Sequence, residues 1–354
     1  MKIVVDDKIP YIQPALKELA DEVVVKGGSE IGPEDVRDAT ILLVRTRTRC
    51  DGTLLEGSAV RLIVTATIGY DHLDTAFLEK AGIKWANCPG CNATSVAQYV
   101  KNSLLALQQE HRLDLSGATM AIIGVGNVGT AVLKAMQEED GVSRPRSILL
   151  FDPLCSHFPL TEYNNTSWCD IKRIQDEADI ISFHTPLTSY GPCPTRHMAD
   201  EAFFRRLKHK PIIINAARGG VLDEAALLRA MGEELVGDVV IDTWENEPNI
   251  CSALLQRAFI ATPHIAGYSA DGKANATRMT LAAVCKFLGR SMTFSIHPPT
   301  ISLSGQLSCD SITRSLQLYD PRLDSQRLKN APEKFEFLRG HYPLRRERWS
   351  DEQA

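Results

Sequence analysis

At 354 residues, with 44% hydrophobic and 23% charged positions, the chain has an ordinary globular composition and room for two or three domains. A formal net charge of -5 argues against nucleic acid as the main partner, because neutralising phosphates requires a basic face. The acids Asp6 and Asp7 stand where an export signal needs its apolar core, and no apolar run is long enough to span a bilayer. Nine cysteines, an odd number without framework spacing, suit free thiols in a reducing cytoplasm, so a cytoplasmic protein without membrane partners is expected.

In chain order, Lys2 to Val5 is a short β-branched run, Tyr11 to Ala20 a helix, and Glu22 to Lys26 and Thr40 to Val44 are strands. Leu62 to Thr65 repeats the strand pattern and Asp74 to Ala81 the helix pattern. A long helix over Thr94 to Glu110 carries Val96, Val100, Leu104 and Leu107 on one stripe. A second series follows: strand Ala118 to Ile123, helix Val128 to Gln137, and strand Ile148 to Phe151. Strands at Ile180 to Phe183, Ile212 to Asn215 and Val239 to Asp242, with a helix over Glu224 to Met231, complete a nucleotide-binding unit by length and order. A last helix runs from Gly272 to Leu288, and Pro298-Pro299 breaks the pattern before a short β-like run, Ile301 to Leu303. Such βα alternation predicts an α/β protein with doubly wound parallel sheets.

Between the strand ending at Ile123 and the helix opening at Val128 lies Gly124-Val125-Gly126-Asn127-Val128-Gly129. G-x-G-x-x-G alone is a weak signal, but strand, glycines and helix stand here in the required order. Gly124 permits the tight turn, Gly126 the approach of a pyrophosphate, and Gly129 the close packing of helix on strand. Asn127 and Val128 open the helix, whose unpaired N–H groups face an anion. Asp152 closes the next strand, where a carboxylate accepts from ribose hydroxyls and repels a 2′-phosphate, so NAD is the expected cofactor. The competing reading of Asp152 is a cap on the turn before Pro153.

Three further segments end predicted strands, where open α/β sheets place their ligands. They are Asn215-Ala216-Ala217-Arg218-Gly219-Gly220-Val221-Leu222-Asp223, Asp242 to Pro248, and Thr262-Pro263-His264-Ile265-Ala266-Gly267-Tyr268. A guanidinium at Arg218 suits a substrate carboxylate, and an imidazole at His264 suits proton exchange near neutral pH. Singly, each is more often a surface ion pair or a structural histidine.

Together, Gly124 to Gly129, Ala217 to Asp223, Asp242 to Pro248 and Thr262-Pro263-His264 make the chain resemble the D-isomer-specific 2-hydroxyacid dehydrogenases. The resemblance implies an NAD-dependent enzyme in which Arg218 binds the carboxylate, His264 takes the hydroxyl proton and Glu247 pairs with His264. Glu245 is the alternative partner, and the family's placement of the acid directly before Pro248 selects Glu247. Thr185, Ala216, Asp242 and Gly267 would be cofactor positions alongside Asp152. The implied architecture is a Rossmann-type NAD-binding domain over 93–270, inserted in a flavodoxin-like substrate domain of 1–92 plus 271–288. A small α+β dimerisation domain over 289–354 would follow, shorter than the family pattern, and a homodimer is expected.

Further segments, including Val44 to Thr48, Thr65 to His72, Pro89 to Ala93 and Phe183 to Leu187, are similar to members that act on a small phosphorylated 2-hydroxy acid. Thr46, Thr67 and Tyr268 match their substrate-binding positions. Arg45, Arg47 and Arg49 are candidates for the phosphate, read as alternate residues sharing one face of a strand; a solvated basic face is the competing account. Cys88-Pro89-Gly90-Cys91 is a C-x-x-C before a helix, but no second pair offers a zinc site and no thioredoxin-like layout surrounds it, so a turn beside the substrate is expected. A non-enzymatic dinucleotide sensor on the same fold, and a dehydrogenase of another phosphorylated acid such as 3-phosphoglycerate, are the readings set against this one.

Overall fold

The structure is a computed structural model of the full chain, and it describes residues 1–138, 144–154, 163–300, 307–343 and 345–349. The chain forms two compact units, Met1–Asn92 with Ser269–Thr300, and Ala93–Tyr268 with Ile301–Ala354.

The first unit holds a parallel five-stranded sheet of β1 (Lys2–Asp6), β2 (Glu22–Lys26), β3 (Ile41–Val44), β4 (Leu62–Thr65) and β5 (Lys84–Ala86), in the order β2-β1-β3-β4-β5. This is the flavodoxin-like order, with its switch point between β1 and β3. Both faces are covered, and the strand residues divide accordingly. Ile3, Val5, Ile41 and Leu43 enter one core, while Val4, Leu42 and Val44 enter the other. A strand buried on both faces has no polar side to show, which is why these runs are apolar without alternation. Helix Ala270–Leu288 supplies Ala274, Leu281 and Val284 to the first of these cores and ends on Gly289 at φ 66, the left-handed cap that glycine reaches without strain.

The second unit carries a seven-stranded parallel sheet, β6 (Thr119–Ile123), β7 (Ser147–Phe151), β8 (Thr166–Trp168), β9 (Ile180–Phe183), β10 (Ile212–Asn215), β11 (Val239–Ile241) and β12 (Ile260–Ala261). Its order, β12-β11-β10-β9-β6-β7-β8, is that of a doubly wound nucleotide-binding sheet, with the switch point between β6 and β9. Met120 and Ile122 point into one core, Ala121 and Ile123 into the other. Helices in both units begin repeatedly on aspartate: Asp74, Asp170, Asp200 and Asp223 each accept a backbone N–H of the first turn. Each such cap contributes about 1 kcal/mol.

Beyond residue 306 the described chain is mainly helical, with helices Ser311–Leu318, Pro321–Asn330 and Phe335–Gly340. Leu328 and Phe335 are fully buried in the second unit's core. The β-like run expected at Ile301 to Leu303 lies outside the described residues. Among the described residues, no helix is long and apolar enough to cross a membrane.

Candidate active site

At the switch point of the second sheet, the glycine turn leaves β6 and is shaped by three separate demands. Gly124 has φ 89, and a Cβ there would lie 2.8 Å from the His184 and Thr185 backbone that leaves β9. Gly129 faces the carbonyl of Gly124, where a Cβ would approach to 2.0 Å, so only glycine lets the helix sit this close to the turn. Gly126 is different: nothing lies within 4 Å of where its Cβ would be. Helix Asn127–Gln137 starts there with Gly126 as N-cap and no side-chain cap, leaving first-turn N–H groups for an external anion. These features fit a dinucleotide pyrophosphate.

Asp152 follows β7. Its Oδ2 accepts from Val125 N at 2.9 Å and its Oδ1 from Leu154 N at 3.0 Å, so the acid braces the turn while each oxygen keeps a further lone pair. Both readings weighed from the sequence, loop brace and ribose acceptor, are compatible with this geometry. Thr185 stands just after β9, its hydroxyl against Met198 Sδ at 3.9 Å. Beside it, burial drives the His184 imidazole down to about 3, and its Nε2 shares a 2.8 Å hydrogen bond with the Ser182 hydroxyl.

Arg218 is exposed on the loop after β10, between Ala216 and the short turn Gly219–Val221. Asn215 builds that loop: its Nδ2 donates to the Arg218 carbonyl at 3.0 Å and its Oδ1 accepts from Ala217 N at 3.1 Å. The guanidinium donates to the Ala217 carbonyl at 2.7 Å and, among the described residues, has no ion-pair partner. Gly219 brings this loop against the next one, since a Cβ there would stand 1.9 Å from the Trp244 carbonyl.

His264 Nδ1 contacts both Glu247 oxygens, at 3.0 and 2.8 Å. Glu247 Oε1 also accepts from Trp244 N at 3.0 Å, which fixes the carboxylate on its own loop. Burial pushes the Glu247 carboxyl up, but the His264 hydrogen bond and charge, the Trp244 N–H and Arg339 outweigh it and hold it below the usual range. With Nδ1 held by Glu247, Nε2 is the ring nitrogen left for chemistry. Glu245, the alternative partner, is engaged elsewhere: its Oε1 lies 2.5 Å from His197 Nε2.

Asp242 carries the His264 loop. Its buried Oδ1 accepts from the Thr262 hydroxyl and Ile265 N, both at 2.7 Å, and its Oδ2 from Ala266 N at 3.0 Å. Burial raises its carboxyl, against the lowering influence of His264 and these donors. His264 itself sits at φ 57, a left-handed conformation for a non-glycine residue that these bonds sustain. Gly267 and Tyr268 close the loop, where Tyr268 N donates to Ile265 O at 2.8 Å.

The tail supplies two residues that sequence reading passed over. Arg345 is buried and donates to the carbonyls of Ile265, Ala266 and Tyr268 at 3.1, 2.5 and 2.8 Å, with its guanidinium 4.1 Å from the Tyr319 ring centroid. Arg339 Nη1 lies 3.5 Å from Glu247 Oε2. Arg345 lies in the basic run Arg345-Arg346-Glu347-Arg348, and Arg339 stands outside it with no local pattern to mark it.

In the first unit the arginines depart from expectation. β3 ends at Val44, and Arg45 to Thr48 turn, with Thr48 N bonded to Arg45 O at 3.5 Å. The strand face imagined for Arg45, Arg47 and Arg49 therefore does not exist, because the chain leaves the sheet one residue before the first of them. Arg45 reaches the Lys8 carbonyl at 3.4 Å, Arg47 and Thr46 are exposed, and Arg49 pairs with Asp51 at 2.8 Å. Thr67 donates to Gly69 O at 2.8 Å and meets the Thr65 hydroxyl at 2.6 Å. Lys273, on helix Ala270–Leu288, is pushed down to about 8 by burial and by the charges of Arg45 and Lys8. Cys88 and Cys91 are buried, with Cys91 pushed by burial up to about 12, so both are neutral core thiols rather than a redox pair. Among the described residues, no group of three or more His, Cys, Asp or Glu is arranged around a metal position.

Residues 92–266 match the family model described as D-isomer specific 2-hydroxyacid dehydrogenase, NAD binding domain. Over 348 residues the chain is 48% identical to erythronate-4-phosphate dehydrogenase of Bacteroides thetaiotaomicron, covering 98% of this chain and 97% of that protein. It is 42% identical over 356 residues to the protein of the same name from Porphyromonas gingivalis, covering 98% and 94%. Among solved structures, the NAD-complexed D-isomer specific 2-hydroxyacid dehydrogenase of Lactobacillus delbrueckii ssp. bulgaricus superposes with a TM-score of 0.66 at 18% identity, covering 82% of this chain and 98% of that one.

Proposed function

The chain belongs to the erythronate-4-phosphate dehydrogenases of the D-isomer-specific 2-hydroxyacid dehydrogenase family, and from that membership we propose that it oxidises 4-phospho-D-erythronate with NAD. The product is (R)-3-hydroxy-2-oxo-4-phosphooxybutanoate, a step of vitamin B6 biosynthesis. The observation that carries this reading is the His264–Glu247 pair, held on adjoining loops with Nε2 left over for a substrate hydroxyl.

Bound NAD supplies the acceptor for the hydride released from C2. The chain's own residues do the rest. The N–H groups opening helix Asn127–Gln137 take the pyrophosphate, and Asp152 takes the ribose hydroxyls. Thr185, Ala216, Asp242 and Gly267 border the remainder of the cofactor. Arg218 clamps the substrate carboxylate, which a guanidinium with no competing acid does well. His264 Nε2 accepts the C2 hydroxyl proton as the carbonyl forms, and Glu247 stabilises the imidazolium. Thr46, Thr67 and Tyr268 contact the polyol, with Thr67 offering an acceptor since its proton already goes to Gly69 O. Arg45 and Arg47 take the phosphate.

The enzyme works as a homodimer in the cytoplasm, a reducing compartment that suits its free cysteines. Sedimentation of the purified protein tests the dimer. Turnover of 4-phospho-D-erythronate, followed as NADH formation with a 2-oxo acid available to reoxidise bound NADH, tests the reaction. Higher kcat/KM on 3-phosphoglycerate would reassign the substrate, and NAD binding without turnover of either would make the protein a sensor.

A further inference from the structure

The Glu247 carboxylate has a second cation besides His264. Helix Phe335–Gly340, far along the chain in the same unit, points Arg339 Nη1 at Glu247 Oε2, 3.5 Å away, and this is the oxygen that lies 2.8 Å from His264 Nδ1. Arg339 is not a freely moving surface residue. Its side chain is 29% exposed, it hydrogen-bonds the Tyr268 side chain, and Glu336 Oε1 stands 3.9 Å from its Nη1. The tail is fastened to the same catalytic loop a second time by Arg345, through the carbonyls of Ile265, Ala266 and Tyr268.

We propose that Arg339 is a positioning residue for the reaction, holding Glu247 in place and setting the basicity of the His264–Glu247 pair. The inference rests on the dehydrogenase reading above, and its physics is a matter of local charge. A carboxylate alone beside an imidazole favours protonation of the ring, whereas a guanidinium on the same carboxylate opposes a further positive charge. Among the described residues, the other groups facing the pair are the Asp242 carboxylate beneath the His264 loop, the Glu224 carboxylate, which feels the Glu247 charge, and the Trp244 N–H, while the Tyr268 hydroxyl meets Arg339. Asp242 and Glu224 are acids; of the two cations at the loop, Arg345 is held on the carbonyls of Ile265, Ala266 and Tyr268, and Arg339 is the one on the Glu247 carboxylate itself. With it, the pair remains an unprotonated base further into acid. His264 and Glu247 share hydrogen bonds and so titrate as a unit, while the guanidinium stays charged throughout.

Two variants separate charge from shape. R339Q removes the charge and keeps a donor, while R339K keeps the charge. For R339Q the acid limb of the kcat/KM profile for 4-phospho-D-erythronate is expected to move up by roughly half to one pH unit. On that limb the rate constant falls about three- to tenfold, while on the alkaline plateau it stays within about twofold. R339K returns the limb toward the wild-type position. Imidazole NMR titration of the substrate-free protein reads the same displacement without turnover. An unmoved limb and an unmoved NMR titration in R339Q would overturn the proposal, as would equal losses in both variants at every pH. If R339Q does not fold, R339M is measured in its place and judged by the same criteria. Failure of the wild type to turn over the substrate would count against the functional reading, and the NMR titration would still decide the role of Arg339.

Discussion

At the scale of single residues, the second unit stores electrostatic strain close to its reactive loops. Glu224 is the clearest case. Its side chain is buried at the start of helix Glu224–Gly232, accepts from Glu245 N at 2.9 Å, and feels the charges of Glu245 and Glu247. Burial, and then those charges, raise it from 4.5 to about 6. A carboxyl raised on folding favours the protonated form, so its ionisation destabilises the native state as pH climbs from the unfolded value through the folded one. The shift corresponds to about 2 kcal/mol at neutral pH and above. E224Q, which keeps the acceptor for Glu245 N, should therefore be more stable than wild type by about 1–2 kcal/mol at pH 8. The difference should shrink to nothing below about pH 4.5. Urea unfolding at the two pH values measures it, and equal midpoints at pH 8 would show that Glu224 is not raised. The residue scale is also where the sequence was most and least readable. Arg218, Glu247 and His264 sit beside family motifs, and the pairing of His264 with Glu247 in place of Glu245 was legible from the acid's position before Pro248. Arg339 and Arg345 were not, because they act over 77 to 92 positions of chain on acceptors that are partly backbone carbonyls, which no local pattern marks.

At the scale of elements, the glycine turn makes two positions of one motif separable by experiment. A methyl at Gly129 would meet the Gly124 carbonyl at 2.0 Å, and backbone cannot retreat as a flexible side chain would. G129A should therefore lose stability by about 2 kcal/mol or more along with NAD affinity. A methyl at Gly126 meets nothing within 4 Å, and its φ of -75 is open to alanine. G126A should fold with a near-wild-type melting temperature but raise the Michaelis constant for NAD about tenfold, because the methyl occupies the space the pyrophosphate needs. Thermal melts with and without NAD measure both, and a G126A protein that binds NAD normally would remove this turn from the cofactor site. Elements of this kind were predictable because long apolar strands and glycine-capped turns leave strong local patterns. The missed strands, β5, β8 and β12, are two or three residues long and lie at sheet edges, too short for any period to register. The tail helices carry mostly polar sequences, although Asp310 and the Asp320-Pro321 pair are recognisable starts.

At the scale of the molecule, the question is whether the tail is an appendage or part of the second unit. Its contacts answer for the described residues. Leu328 and Phe335 belong to the same buried core as Phe183, Phe203 and Trp244. Asn102, on the long helix Ala93–Gln109, donates to the Ser315 and Tyr319 carbonyls at 3.2 and 2.5 Å. Ser325 Oγ accepts from Ala261 N at 2.9 Å, which covers the open edge of β12 that would otherwise present an unpaired strand. Each fully buried Leu or Phe adds about 2–3 kcal/mol of burial, before the Arg345 hydrogen bonds to the His264 loop are counted. A chain ended at Thr300 should therefore lose more than dimerisation. Its melting temperature should fall by at least about 10 °C, and NAD binding should weaken, since the loop carrying His264 loses its clamp. A tail that served only to join two copies would leave a monomer that melts like the intact protein and binds NAD as tightly, and calorimetry with NAD titration on the truncated chain distinguishes the two.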